Sequence, residues 1–246
     1  MTTRDPDENG WQSSAPAWIA RMEGPGDFSR VHVLDDPMIA QVRAAAPASA
    51  LDVGCGEGRF CRMMAGLGIH TTGLDPVPAM VEAARARDPK GRYVEGFAEA
   101  LPFPQATFDL VVSYLSLIDI GDPDTAIAEM ARVLAPGGTL LVAHLNGFAT
   151  SSFIAGDRRC AETGERLRPL GRYLDEASAW FEWDGLRIRN WHRPLSRYMA
   201  TFLAAGLHLT AFEEPRPTGG PPDRVRAYGD MPYLMLLAWR KPDATA

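Results

Sequence analysis

Two carboxylates and a run of alternating glycines hold the clearest chemistry in this sequence. Asp52-Val53-Gly54-Cys55-Gly56-Glu57-Gly58 closes one apolar stretch, and Gly73-Leu74-Asp75 closes the next. Glycines at 54, 56 and 58 let the backbone turn sharply and approach a ligand without Cβ atoms in the way. The helix start behind them offers N–H groups and the positive end of a dipole. Asp75, ending a second strand, can accept both hydroxyls of a ribose. These residues describe a nucleoside-cofactor site. The spacing is not that of the dinucleotide fingerprint G-x-G-x-x-G/A, because Arg59 stands where a small residue should let helix and strand pack closely. Asp52, beneath the loop, would repel a pyrophosphate but can orient an ammonium. The cofactor implied therefore carries an amine, and a nicotinamide oxidoreductase is disfavoured.

With these residues the chain resembles the class I S-adenosylmethionine-dependent methyltransferases, whose first motif reads D/E-x-G-x-G-x-G. Three further segments extend the resemblance over about residues 48 to 147: Gly96-Phe97-Ala98-Glu99-Ala100-Leu101-Pro102-Phe103, Phe108-Asp109-Leu110-Val111-Val112-Ser113 and Val133-Leu134-Ala135-Pro136-Gly137-Gly138. The resemblance implies S-adenosyl-L-methionine as cofactor and S-adenosyl-L-homocysteine as product. Asp52 and the backbone of Gly54, Cys55 and Gly56 would hold the methionine part, and Asp75 the ribose. Pro76, Val77 or Met80 would lie near the adenine. Where the family often has Asp-Ala, this chain has Phe97-Ala98, so Phe97 would cover the ring, the Ala98 amide would meet a ring nitrogen and Glu99 the exocyclic amine. Ser113 and Tyr114, ending the fourth strand, would flank the sulfonium. Arg30, in a preceding segment that often closes over the cofactor, would meet the methionine carboxylate or a substrate anion, or else form a surface ion pair.

Methyl transfer needs alignment, exclusion of water and, for some acceptors, removal of a proton. Candidate bases or acceptor ligands are His192, His144, Tyr173 and Glu182, near the ends of strands four and five or in the segment beyond them. For each histidine, ordinary packing and hydrogen bonding is the competing reading. The five histidines show no H-x-x-x-H spacing, and no metal is expected.

The 246 residues, 46% hydrophobic, suffice for one substantial core, and the net charge of −6 argues against a broad phosphate-binding surface. Nucleic acid is therefore not expected, nor is a membrane partner, since no apolar run approaches about 18 residues, and the acceptor is expected to be a small molecule methylated on oxygen or carbon. Three cysteines without metal spacing fit a reduced, cytoplasmic protein, monomer or homodimer. A methyltransferase-fold protein that binds the cofactor without transferring its methyl, as a cyclase, regulatory subunit or binding module, remains open.

The elements that must position these groups follow from periodicity. Residues 1 to about 16 read as disordered or as ordered only on docking, and residues 1–47 as a tail and helical cap, with short helices around Trp18–Met22 and over Pro37–Ala46. Residues 48–246 form the catalytic domain. Strands are predicted at Ala50–Val53, Ile69–Leu74, Arg92–Glu95, Leu110–Ser113 and Thr139–His144, with helices at Arg59–Gly66, Val77–Arg87 and Pro123–Leu134. Residues 147–192, rich in Trp and Arg, break the alternation as a substrate-side insertion with a hairpin turning at Asp184-Gly185. An amphipathic helix ending at Gly206 and strands Leu207–Glu213 and Tyr233–Arg240, with a Pro-rich loop at 215–222 between them, complete the chain. The fold expected is α/β: a Rossmann-like, doubly wound sheet of seven strands in the order 3-2-1-4-5-7-6, the last antiparallel, with an N-terminal helical cap and an insertion after strand 5.

Overall fold

The computed structural model describes residues 7–156, 158–164 and 166–243. In chain order they form α1 (Trp11–Arg21), a π-helical turn (Arg30–Leu34), α2 (Asp35–Ala45), β1 (Ser49–Val53), α3 (Arg59–Ala65), β2 (His70–Asp75), α4 (Pro78–Arg87) and β3 (Arg92–Glu95). Then come β4 (Phe108–Tyr114), a 3-10 turn (Leu117–Asp119), α5 (Pro123–Val133), β5 (Leu134–Leu145), α6 (Gly147–Ala155), and a two-residue pair, β6 (Arg158–Arg159) with β7 (Arg166–Leu167). The chain ends with β8 (Ala177–Trp183), β9 (Leu186–His192), α7 (Leu195–Ala204), β10 (His208–Glu213), α8 (Pro222–Asp230) and β11 (Leu234–Arg240).

Seven strands make one sheet in the order β10-β11-β5-β4-β1-β2-β3. Numbered within the sheet this is the expected 3-2-1-4-5-7-6, with β11 antiparallel to both its neighbours and the other pairs parallel. Strand parity assigns the two faces. Leu51, Val53, Val111, Leu140 and Val142 point to one core, with Phe202 of α7 stacked on Trp239 at 4.8 Å. Ala50, Leu110, Val112, Leu141 and Ala143 point to the other, under Phe60 and Met64 of α3. Fully burying side chains of this size contributes about 1.5–3 kcal/mol each. Asp52 shares the parity of Ala50, so a strand pattern that is otherwise apolar delivers a carboxylate to the α3 side.

Helix α5 shows why its boundaries were legible. Asp122 accepts from the Thr125 N–H at 3.1 Å as N-cap, Pro123 opens the helix, and Ile127, Met130 and Ala131 form the buried stripe. Such a cap contributes about 1 kcal/mol.

Three segments hold helices that the sequence pattern left unassigned. Of residues 1 to 16, the first six lie outside the described residues, but Trp11–Arg21 is a helix with Pro16 inside it. Trp11, Ala15, Trp18 and Met22 give it an apolar face against Val77, Met80 and Leu186, and that packing outweighs the helix-breaking tendency of proline. The stretch 147–192 begins with a helix, α6, anchored by the Asn146 side chain accepting from the Phe148 N–H at 3.0 Å. The Pro-rich loop at 215–222 runs into a helix, α8, opened by Pro222. The β8–β9 hairpin forms as expected, with Asp184 and Gly185 both at positive φ.

Helix α1 and this hairpin lock together. Arg189 N–H donates to the Asn9 carbonyl at 2.9 Å. The Ser14 hydroxyl donates to the Arg187 carbonyl at 3.1 Å and accepts from the Arg187 N–H at 3.0 Å. The N-terminal segment is thereby strapped across the C-terminal ends of β1, β2 and β4.

Candidate functional site

Where β1 and β2 end, the loop folds on its own hydrogen bonds. Gly54 N–H and Cys55 N–H both donate to the Leu74 carbonyl, at 2.7 and 3.0 Å, and Gly56 N–H donates to Asp75 Oδ2 at 2.9 Å. Gly54 lies at φ 76°, and a Cβ there would sit 2.4 Å from Ser116 Cβ. The amides of Gly54, Cys55 and Gly56 are thus engaged within the protein. What the loop contributes is a Cβ-free wall and two aligned carboxylates.

Those carboxylates are in opposite states. Asp75 is held by Gly56 N–H and, on Oδ1, by Val77 N–H at 3.0 Å; its remaining lone pairs face the cavity. Asp52 is 1% exposed. Its Oδ2 has the Cys61 thiol at 3.6 Å, and its Oδ1 has no hydrogen-bond partner among the described residues. Burial pushes Asp52 up to about 7 and Asp75 up to about 6. An unpartnered buried carboxylate is costly unless a cation or donor arrives to match it, and it borders open space.

That space is a cavity of about 1260 Å³ with its open mouth included. Of the residues expected at the cofactor, Asp52, Gly54, Cys55, Gly56, Asp75, Pro76, Met80, Phe97, Ala98, Glu99, Tyr114 and Arg30 border it, with Val77 among them. Ser113 does not; it is fully buried, its hydroxyl 2.8 Å from that of Ser116, which donates to the Val53 carbonyl at 2.6 Å. Arg30 borders the cavity while ion-paired with Asp27 and lying over the Trp18 ring at 4.9 Å. Tyr114 donates its hydroxyl to Asp35 at 2.9 Å, and Asp35 also takes both Nη atoms of Arg59. Arg59 thus ties the glycine loop to α2, which explains a residue the dinucleotide pattern would not allow.

The base candidates lie elsewhere. His192 is buried with both ring nitrogens engaged: Nδ1 is 2.7 Å from the Thr150 hydroxyl and Nε2 is 2.9 Å from the Tyr173 carbonyl. The Tyr173 hydroxyl accepts from Leu195 N–H at 3.2 Å, and its ring stacks on Phe148. His144 is buried edge-on to Tyr198, and burial, with Arg193 nearby, lowers it to about 3. Glu182 pairs with Arg187 at 3.0 Å on the exposed face of the hairpin. None of the four borders the cavity, because each is held within the insertion or the core beside it.

Residues not anticipated close the cavity instead: Glu8, Asn9 and Trp11 from the strap, Asp119 after β4, and Arg189 and Trp191 from β9. Leu115, at φ 59°, also borders it. A non-glycine residue in that region costs about 1–2 kcal/mol, a strain of the kind stored at functional sites. An acid placed between Ile118 and Ile120 was the readable signal for Asp119.

The carboxylates set a pH dependence. Asp52 and Asp75 hold protons to about 7 and 6 in the free protein, whereas matching an ammonium and ribose hydroxyls requires their ionised forms. Affinity for an amine-bearing nucleoside is expected to rise as pH increases from 5.5 to 8, with protons released on binding near pH 6. Calorimetry in two buffers of different ionisation heat checks this, and a pH-independent affinity would remove the assignment.

Residues 51–142 match a family model described as Methyltransferase domain. A malonyl-[acyl-carrier protein] O-methyltransferase from Serratia marcescens is 35% identical over 158 residues, 64% of this chain and 52% of that protein. The 27-O-demethylrifamycin SV methyltransferase of Amycolatopsis mediterranei is 29% identical, covering 85% of this chain and 83% of that one. The chain spans about half the length of the first curated relatives it matches. Among solved structures, an S-adenosylmethionine-dependent methyltransferase from Mesorhizobium loti superposes with a TM-score of 0.72 at 27% identity, over 82% of this chain and 96% of that one. Fold, glycine loop, paired carboxylates and matched domain agree: residues 51–142 are a methyltransferase domain, within a chain that has the fold of the S-adenosylmethionine-dependent methyltransferases.

Proposed function

We propose that this protein binds S-adenosylmethionine in the cavity and moves its methyl group to a small-molecule acceptor enclosed by the strap and the β8–β9 hairpin. The observation that carries this reading is the unpartnered Oδ1 of buried Asp52 beside a backbone-anchored Asp75. When bound, the cofactor supplies a sulfonium methyl open to in-line displacement. Asp52 would orient the ammonium, Asp75 the ribose, and Met80, Phe97 and Ala98 would enclose the adenine, with Glu99 at its edge. Trp11 and Trp18 would exclude water from the reacting end. The net charge of −6 favours a small acceptor over nucleic acid, and we place the reaction in the cytoplasm, carried out by a monomer or homodimer. No helix among the described residues is long and apolar enough to cross a membrane.

Calorimetry with S-adenosylmethionine and S-adenosylhomocysteine, with NADH as control, tests the reading. Binding of both and not of NADH supports it, and acceptors are then screened by release of S-adenosylhomocysteine. No binding of either would end it, while binding with no turnover across acceptor classes would favour a protein that uses the cofactor only as a structural ligand. Asp75→Ala is expected to weaken binding of both by about 1–3 kcal/mol through lost charge-assisted hydrogen bonds. An unchanged dissociation constant would refute the ribose assignment.

A further inference from the structure

Residues assigned to the cofactor account for only one end of the cavity. Past Tyr114 the wall passes to Leu115 and Asp119 behind β4, with Trp11 of α1 and Arg189 and Trp191 of β9 across from them. Asp119 is half-buried, its remaining surface bordering the cavity. Two segments hold it. Asn190 Nδ2 on β9 donates to Asp119 Oδ1 at 2.5 Å, and Asn9 Nδ2, from the strap, donates to its backbone carbonyl at 3.3 Å. Leu117 and Ile118 already bury the turn in the core, so the turn itself has no need of a desolvated carboxylate. Burial pushes the carboxyl up to about 7; Trp11, Asn190 and Arg30 pull it down, and Asp75 pushes it up. Glu8 and Arg189 share the cavity, Arg193 donates to the Ile120 and Gly121 carbonyls at 2.9 Å, and His144 on β5 is kept neutral by its burial.

We propose that Asp119 is the catalytic base of this site and that the acceptor is a planar hydroxyl compound, a phenol or an enol, bounded by the indoles of Trp11 and Trp191. This rests on the methyl-transfer reading above. The chemistry selects the class. A carboxylic acid arrives already ionised, needs no base and is repelled by an ionised Asp119. An ammonium meets the Arg189 guanidinium. An aliphatic alcohol is too weak an acid for a carboxylate to help, whereas a phenol resembles tyrosine, with a pKa of about 10. The Arg189 guanidinium, which borders the cavity, lies over the Trp191 ring at 4.7 Å and brings positive charge to the side where the phenolate forms. In the step, the acceptor O–H bond breaks and its proton passes to an Asp119 oxygen. The electron pair left on the acceptor oxygen forms the new O–CH3 bond, and the electrons of the old S–CH3 bond stay on sulfur, which leaves as a neutral thioether.

The test uses the protein saturated with S-adenosylhomocysteine, so that Asp52 and Asp75 are occupied, and 2-naphthol as a fluorescent phenol probe. Binding is followed from pH 5.5 to 8.5 for the unaltered protein and for Asp119→Asn, Asp119→Glu and Asn190→Leu. The unaltered complex should bind the probe about tenfold more tightly above a transition near pH 7 than below it. Asp119→Asn should lose the transition and the tighter limb while keeping its S-adenosylhomocysteine affinity. Asp119→Glu should retain the transition, and Asn190→Leu should move it to higher pH by removing a donor that favours the ionised carboxyl. If Asp119→Asn does not fold, the last two variants decide through the same transition. An unaltered complex that ignores 2-naphthol, or binds it without a pH transition, overturns the proposal, as does an Asp119→Asn curve matching the unaltered one. Failure of S-adenosylhomocysteine itself to bind would instead defeat the methyl-transfer reading, and this proposal with it.

Discussion

Asp52→Asn makes the cofactor-free protein more stable and its cofactor bind more weakly, two effects of opposite sign from one substitution. Asp52 is 1% exposed, with Oδ1 unpartnered among the described residues, and burial raises its pKa to about 7. Its folded pKa exceeds its unfolded value near 3.9, so the native state binds more protons than the unfolded state between about pH 4 and 7. The stability this group contributes is present below that window and lost as pH rises through it. At pH 8 the free protein holds an ionised, unmatched carboxylate. An amide of the same shape removes that charge, and a gain of about 1 kcal/mol would raise the melting temperature by about 2–4 °C for a domain of this size. Near pH 5 Asp52 has lost only the first part of that stability, and the difference should be smaller. The cofactor's ammonium, conversely, loses a charge-assisted hydrogen bond, about 1.5–3 kcal/mol, or roughly a tenfold to 150-fold weaker dissociation constant. Scanning calorimetry of the free proteins at pH 5 and 8, with S-adenosylhomocysteine titrations at pH 8, checks both signs. A variant that loses stability and affinity together would make Asp52 a structural residue of the loop.

The division between what the sequence disclosed and what it hid follows local against non-local determination. Strands β1 to β5 carry their register in apolar alternation, and Gly54 and Asp75 are set by the turn and strand end on which they sit, so sheet order and cofactor wall were both readable. His192 was not. Nothing near it in sequence says that Thr150 and the Tyr173 carbonyl, 42 and 19 residues away, will occupy both its nitrogens. Asp119 gains its setting from Asn9 and Asn190, contributed by the strap and the hairpin, which meet only in the tertiary fold. Trp11, Ala15, Trp18 and Met22 did recur at helical spacing, and Pro16 obscured it, because local propensity weighs the missing N–H and not the apolar face that offsets it. Ser113 shows the reverse error. The strand end was correctly located, but the side chain is buried with its hydroxyl 2.8 Å from that of Ser116.

Gly10→Val tests whether the strap closes the site. Gly10 lies at φ 80°, and a Cβ there would come within 2.1 Å of the Arg187 carbonyl oxygen and 2.7 Å of the Trp180 ring. The first obstacle is backbone and cannot turn aside, and a β-branched residue at that φ is itself an outlier. The strap must therefore lift, breaking the Arg189-to-Asn9 hydrogen bond and the Ser14 exchange with Arg187. The Asn9 hydrogen bond to the Asp119 carbonyl goes with them, and Trp18 and Ala15 are no longer held on Val77 and Met80. Losing this packing should cost about 2–4 kcal/mol. Because the seven-stranded sheet and both of its cores lie elsewhere, the loss should appear as early proteolytic cleavage between residues 10 and 25 and not as global unfolding. S-adenosylhomocysteine should still bind, since Asp52 and Asp75 are untouched, but it should dissociate at least tenfold faster because Trp18 and Arg30 no longer cover it. Stopped-flow dissociation beside limited proteolysis separates the outcomes. Faster release with an intact core identifies residues 7–22 as the cover that keeps water from the reacting methyl, and unchanged release would mean that the β8–β9 hairpin closes the site without them.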